Sequence, residues 1–322
     1  MASNSKRRKI LTLSIAALLV VAAGVAIMLF RSRDDTKRIL VVLKTLDNPY
    51  YVDMKLGAER AAAELGPGVK AIIKAGNAED DVQGQTALIY GHLDANSVDA
   101  ISIAPASSTA MIPVIRRANS MSVPVIVLDT RLDAKALDDH GARYNAFIGS
   151  DNERGGELAA KFIGKKLGNV NKSVLLLEGV PTQETAITRA TGFKRVQQAE
   201  FASWNVVAKT ANWNRQQARQ VMDTIIATQG IPAAVFACND EMALGVVGAL
   251  ESAGIARAQW PPIVGFDATS EALAAVKDGR MSATVQQRPD RMGRSAVELA
   301  VEILNGGSPL RDNKIPVELI EQ

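Results

Sequence analysis

Short apolar runs alternate with stretches of helical length along most of the chain. Runs at Ile39–Leu43, Ala71–Lys74, Ala100–Ala104, Val123–Leu128 and Ala146–Gly149 read as strands. A second set follows at Val174–Leu177, Val206–Ala208, Ala233–Ala237 and Ile263–Phe266. Between them, Asp53–Leu65, Asp81–Ala95, Ser107–Ala118 and Glu153–Leu167 read as helices. Further on, Asp240 opens a helix over Met242–Ser252. Pro289 opens another, whose Val297, Ala300, Val301 and Leu304 recur at helical spacing until Asn305-Gly306-Gly307 stops it. Strands that are apolar along their whole length, each followed by a helix, predict parallel sheets covered on both faces. The expected class is α/β: two doubly wound parallel-sheet lobes with a seam near Ser150-Asp151, preceded by one apolar N-terminal helix.

That N-terminal element is the run from Ile10 to Phe30, 21 residues without a charge, behind Lys6-Arg7-Arg8-Lys9. It is long enough to cross a hydrocarbon core of ~30 Å as a helix. It is also longer than the roughly 7–15 apolar residues of a cleaved secretory signal. The expectation is an uncleaved membrane anchor over residues 10–30, with a cytoplasmic tip before it and a linker to residue 37. Cleavage after Gly24-Val25-Ala26 is the alternative. The basic cluster stays on the cytoplasmic side and sends the rest of the chain across.

Charge belongs to the same segment. The whole chain carries +3, but eight basic residues against Asp34 and Asp35 lie up to Arg38, so the remainder carries −3. A mildly acidic globular part argues against nucleic acid as a partner. Cys238 is the one cysteine, which rules out an intrachain disulfide; inside Ala234–Cys238 it reads as a small buried hydrophobe. His92 and His140, the two histidines, have no companion at metal or triad spacing, and no glycine-rich phosphate loop follows a strand. Asp80-Asp81 and Asp138-Asp139 read as helix caps or solvated surface. No enzyme activity, cofactor or metal is expected.

In open α/β sheets, ligands sit beyond the carboxyl ends of the strands. Those positions hold Lys44, Asn48, Tyr50 and Tyr51 after the first run, and Asp129, Thr130 and Arg131 after Val123–Leu128. Asn239 and Asp240 follow Ala233–Ala237, Asp267 follows Phe266, and Arg189 lies past Val174–Leu177. Carboxylates that only accept, beside guanidinium and amide groups that donate, suit a ligand rich in hydroxyls, since each hydroxyl does both. The flat rings of Tyr50, Tyr51, Trp213 and Phe266 suit the CH faces of a sugar. Asp240 reads instead as a cap and pairing partner.

Six stretches in order make the chain familiar. They are Thr45-Leu46-Asp47-Asn48-Pro49-Tyr50-Tyr51, Ile126-Val127-Leu128-Asp129, Gly149-Ser150-Asp151-Asn152-Glu153-Arg154-Gly155-Gly156, Asn239-Asp240-Glu241-Met242-Ala243-Leu244-Gly245, Val264-Gly265-Phe266-Asp267 and Gln287-Arg288-Pro289-Asp290. From about Arg38 to Gln322 the chain resembles the ribose-binding-protein family of periplasmic binding proteins (type I sugar receptors). The resemblance implies a clamp whose lobes, residues 38–151 with 288–315 and residues 152–287 with 316–322, are joined by crossovers near Ser150–Asn152, Gln287–Arg288 and Ile315–Pro316. It implies that Asn48, Tyr50, Tyr51, Asp129, Arg131, Arg189, Trp213, Asn239, Phe266, Asp267 and Gln287 touch sugar; Trp213, Arg189 and Gln287 lean on the resemblance itself. Two positions depart from the ribose pattern: Thr130 stands where Arg follows the Asp, and Lys44 stands where a small polar residue is expected. Both are candidates for specificity, Lys44 toward an acidic or otherwise altered sugar. The implied protein is a monomeric sugar receptor on the periplasmic side of the inner membrane, serving an ABC-type permease or, alternatively, a separate signalling protein. The same fold serves DNA-binding repressors, but those carry a helix-turn-helix where this chain has its apolar run. The stretch Ala134–Tyr144 is longer than the family pattern and has no assigned role.

Overall fold

The computed structural model describes residues 35–309 and 312–321. Residues 37–322 form one compact unit built on two six-stranded sheets. The first holds β1 (Lys37–Leu43), β2 (Val69–Ala75), β3 (Ala100–Ile103), β4 (Val125–Leu128) and β5 (Ala146–Ser150). Its helices are α1 (Pro49–Leu65), α2 (Val82–Asp94), α3 (Ile112–Ser120) and α4 (Ala134–His140). After β5 the chain enters the second sheet through α5 (Asn152–Leu167), then β6 (Ser173–Glu178), α6 (Glu184–Glu200), β7 (Asn205–Thr210) and α7 (Arg215–Gln229). There follow β8 (Ala234–Ala237), α8 (Asp240–Ser252), β9 (Ile263–Asp267), α9 (Ser270–Lys277) and β10 (Ala283–Gln286). The chain then returns as α10 (Pro289–Leu304) and β11 (Asp312–Ile315) to the first sheet, and ends on the second as β12 (Glu318–Glu321).

The strand orders are β11-β5-β4-β3-β1-β2 and β12-β10-β9-β8-β6-β7. They match strand for strand, so the two lobes repeat one plan. All pairs are parallel except β10 with β12. In each sheet the order reverses beside a central strand, β1 or β6, and it is there that a doubly wound sheet opens a crevice.

The apolar run of β1 shows why these strands are uninterrupted. Ile39, Val41 and Leu43 face one way, onto Tyr51 and Met54 of α1 and Met292 and Ala296 of α10. Leu40 and Val42 face the other way, onto Ile89 and Leu93 of α2 and Ile112 and Ile115 of α3. A strand buried on both faces has no solvent side to take polar residues. In the second lobe, α5 and α6 pack closely because a Cβ at Gly156 would collide with the Arg189 carbonyl, and one at Gly192 with the Glu153 carbonyl.

Several elements differ from the sequence expectation. Helix α1 begins at Pro49 rather than Asp53, because the Asn48 side chain caps it, accepting from Tyr50 N at 3.0 Å, with Pro49 in the first turn. Helix α3 begins only at Ile112, with Pro113 in its first turn. The unassigned stretch forms α4: Asp133 accepts from Ala136 N at 2.7 Å, Leu137 is buried, and Gly141 ends the helix in the left-handed region at φ 59°. Among the described residues no helix is long and apolar enough to cross a membrane; the anchor expected at Ile10–Phe30 lies outside the described residues.

Candidate functional site

The carboxyl ends of both sheets face one tightly closed cavity of about 20 Å³. On the first lobe, the cap at Asn48 starts α1 early enough to put Tyr50 and Tyr51 in its first turn, both buried, with rings 5.0 Å apart edge to face. Asp129 follows β4 directly in a left-handed conformation, φ 58°, which residues other than Gly, Asn or Asp seldom adopt. Its Oδ1 accepts from Tyr50 OH at 2.9 Å, and its Oδ2 from Thr130 Oγ1 at 2.9 Å and Tyr51 OH at 3.3 Å. Lys44, immediately after β1, is 1% exposed. Its Nζ donates to Thr130 Oγ1 at 2.8 Å and Gln183 Oε1 at 2.8 Å, and reaches Asp129 Oδ2 at 3.4 Å.

The second lobe presents Arg189 from α6. Its Nε donates to Asn152 Oδ1 at 2.8 Å and its Nη1 to the Cys238 carbonyl at 2.7 Å; Nη1 also pairs with Asp267 at 3.5 Å. The guanidinium lies 3.7 Å from the centre of the Phe266 ring and 5.3 Å from that of Trp213. Gly155 leaves room for that Phe266 ring, so the Gly155-Gly156 pair seats both Arg189 and the ring behind it. Asp267 ends β9 at φ 124°, and Trp213 sits at φ 63°. Gln287, where β10 leads back toward α10, donates to Asp267 Oδ1 at 2.6 Å, and its Oε1 lies 3.3 Å from Tyr50 OH. Asn239 caps α8, accepting from Met242 N at 2.9 Å and donating to the Trp213 carbonyl at 3.2 Å. Each lobe thus turns an asparagine-capped helix start toward the cavity.

Burial would raise the Asp129 carboxyl, but Lys44, Arg189 and the hydroxyls of Tyr50 and Thr130 outweigh it and hold the group below its ordinary value. Asp267 is the opposite case. Burial pushes it well above the carboxylate range, Asp240 and Asp129 add to that, and Arg189 only partly offsets it. Burial also raises both tyrosines and Glu79. The site therefore offers one firm carboxylate, one carboxyl raised by burial, two cations and several hydroxyls and amides, a set able to hold a polyhydroxyl ligand from all sides.

Of the residues singled out from the sequence, Lys44, Asn48, Tyr50, Tyr51, Asp129, Arg189, Trp213, Asn239, Asp267 and Gln287 line the cavity. Thr130 stands behind it, between Lys44 and Asp129. Phe266 is buried beneath Arg189. Arg131 departs from expectation. Its side chain pairs with Asp312 at 2.5 Å and lies over the Phe147 ring, and it is not among the residues that line the cavity. Asp240 is a buried acceptor for Thr269 and Thr284, as a pairing partner should be. Cys238 is buried, and its thiol is pushed up to about 12 by that burial. Glu79 and Thr185 line the cavity without having been singled out. Both lie past strand ends, after β2 and β6, so the rule that found Asp129 reaches them when extended along those loops.

A model of the periplasmic binding protein domain family matches residues 39–308. The ribose import binding protein of Bacillus subtilis (strain 168) is 36% identical over 282 residues, covering 87% of this chain and 86% of that protein. The D-allose-binding periplasmic protein of Escherichia coli (strain K12) is 32% identical over 296 residues, covering 91% and 92%. Among solved structures, an ABC transporter periplasmic solute-binding protein from Actinobacillus succinogenes 130z with bound D-allose matches with a TM-score of 0.81 at 31% identity, covering 89% of this chain and 98% of that one. A solute-binding protein from Bacillus halodurans C-125 with bound myo-inositol matches with a TM-score of 0.80 at 28% identity, covering 90% and 96%. The chain belongs to the periplasmic binding protein family, among its ribose-binding-protein-like type I members, and is a solute-binding protein rather than an enzyme.

Proposed function

We propose that the protein binds one small neutral sugar between its lobes and delivers it to an ABC-type permease. The observation that carries this reading is the buried cavity between two sets of strand ends, where Asp129, Asp267, Arg189 and Lys44 converge with tyrosine and tryptophan rings. Sugar hydroxyls take over bonds that Asp129, Asp267 and Arg189 otherwise make, while Lys44 stays bonded to Thr130 and Gln183. Asn48, Tyr50, Tyr51, Asp129, Arg189, Trp213, Asn239, Asp267 and Gln287 are the proposed contacts, with Lys44 selecting among sugars. An acidic sugar is disfavoured, since the three donor hydrogens of Lys44 already face Thr130, Gln183 and Asp129. The relatives named for ribose and D-allose, and the neighbours holding D-allose and myo-inositol, agree with a neutral polyhydroxyl ligand. The word import in the relatives' names favours transport over signalling.

The test is thermal unfolding of the full chain against pentoses, hexoses, polyols and sugar acids. A ligand at about 100 times its Kd stabilises the folded state by roughly 2.7 kcal/mol. Asp129→Asn, which tolerates the left-handed backbone, is expected to lower the affinity of whichever sugar binds by about tenfold or more, through loss of charge-assisted hydrogen bonds. No stabilisation by any neutral sugar would overturn the reading.

We further propose that Ile10–Phe30 remains uncleaved and tethers the receptor at the periplasmic face, which raises its local concentration near a membrane partner. Sequencing the mature N-terminus decides it: a start after Ala26 removes the tether.

A further inference from the structure

Gln183 occupies the position just before α6, where a helix ordinarily takes a capping side chain, yet its side chain makes no capping bond. It is fully buried and directed elsewhere. Its Oε1 accepts from Lys44 Nζ at 2.8 Å and from Trp213 Nε1 at 2.8 Å; its Nε2 donates to the carbonyls of Glu79 at 2.7 Å and Ala106 at 3.0 Å. A primary amide has two donor hydrogens and two acceptor directions, so its capacity is filled. Lys44, Glu79 and Ala106 follow β1, β2 and β3 of the first lobe, whereas Gln183 and Trp213 belong to the second. Three of the four bonds therefore cross the cleft. The seam continues on either side: Ser108 N donates to the Thr182 carbonyl at 2.9 Å, and Glu184 N to Ser108 Oγ at 2.9 Å.

We infer that Gln183 is the latch of the clamp: it holds the lobes together before ligand arrives and fixes Lys44 and Trp213 in the cavity, and so sets sugar affinity without lining the cavity itself. In the open form its amide faces water and exchanges these bonds for hydration, so each is worth little alone. Made together across one seam, they bias the equilibrium toward closure. A ligand that binds the closed form has an apparent affinity proportional to the closed fraction, so weakening the latch weakens binding. The latch stands on the cross-cleft bonds themselves; its effect on affinity rests on the sugar-binding reading above.

The experiment measures the distance between the lobes in the full chain carrying fluorophores at Glu59→Cys and Gln220→Cys, both exposed positions, with the buried Cys238 left unlabelled. Gln183→Met keeps length and bulk but cannot make these bonds. The latch predicts that the ligand-free parent populates a closed distance. It predicts that Gln183→Met loses most of that population, and that dissociation of a sugar found in the panel speeds by roughly tenfold. Should Gln183→Met fail to fold, Ser108→Ala removes one neighbouring cross-cleft bond and shifts both quantities the same way by less. A ligand-free parent with no closed population, or a folded variant with the parent's closed fraction, overturns the latch. If no sugar binds, the sugar reading falls, while the ligand-free distances still decide the latch.

Discussion

Asp129 and Asp267 stand at the ends of equivalent strands of the two lobes, both with left-handed backbone, and their surroundings treat them in opposite ways. Asp129 has Lys44 and three hydroxyls beside it. Asp267 has Arg189 at 3.5 Å and Gln287, but also feels Asp240 and Asp129. A carboxyl raised by folding keeps its proton to higher pH in the native state than in the unfolded one. Its presence therefore lowers stability as pH rises from the ordinary carboxylate range of about 4 through the raised value. Asp267→Asn removes that penalty and keeps an acceptor for Gln287. The variant is expected to melt higher than the parent at pH 7–8, with the difference shrinking toward pH 4, and to bind sugar more weakly. Melting curves across pH check it, and a constant difference would refute it. Most cavity residues were legible because a strand end is a place defined by the sequence pattern. Arg131 was grouped with them because it follows Asp129 closely in sequence, and nothing in the pattern reveals its pairing with Asp312. Glu79 was passed over because it lies four positions beyond Ala75, in a loop read for its caps, and the path of a loop is set by what it packs on. Gln183 stayed hidden because its role exists only when the other lobe is present.

At the level of elements, the apolar strands and the helices between them were readable because burial on both faces leaves a continuous signal. β10, β11 and β12 were not: Ala283–Gln286 is a four-residue strand with Thr284 and Gln286 breaking its apolar run, and Asp312–Ile315 and Glu318–Glu321 are short, half-exposed edge strands of mixed polarity. Their assignment depends on a neighbour already in place. The early start of α1 could have been read from Asn48-Pro49, a cap followed by a residue suited to the first turn. The contact between α5 and α6 gives a prediction with an internal control. Gly156→Ala puts a methyl against the Arg189 carbonyl, and is expected to destabilise the protein by about 1–3 kcal/mol while shifting Arg189. Gly91→Ala lies in α2 with open space around it, and is expected to stabilise by about 0.5–1 kcal/mol. Chemical denaturation of both checks the pair; equal effects would mean that the helix contact is not close.

Across the whole molecule, the first lobe is assembled from chain segments far apart in sequence. Helix α10 packs on α1 and covers one face of the first sheet, and β11 completes that sheet beside β5. The second lobe lies between these segments and lacks only the edge strand β12 until the chain returns. The order of folding is therefore expected to reverse the order of synthesis. The lobe made first waits with an uncovered apolar face, while the lobe made second can close at once, because loop closure over a long separation is slow. A chain ending at Gln287 is expected to show a protease-resistant fragment from the second lobe and rapid digestion of residues 38–151. Equal resistance of both halves would refute that order. During its biogenesis this protein spends its vulnerable time as a half-built first lobe, and a chaperone that recognises exposed apolar surface would meet it there rather than at the cleft.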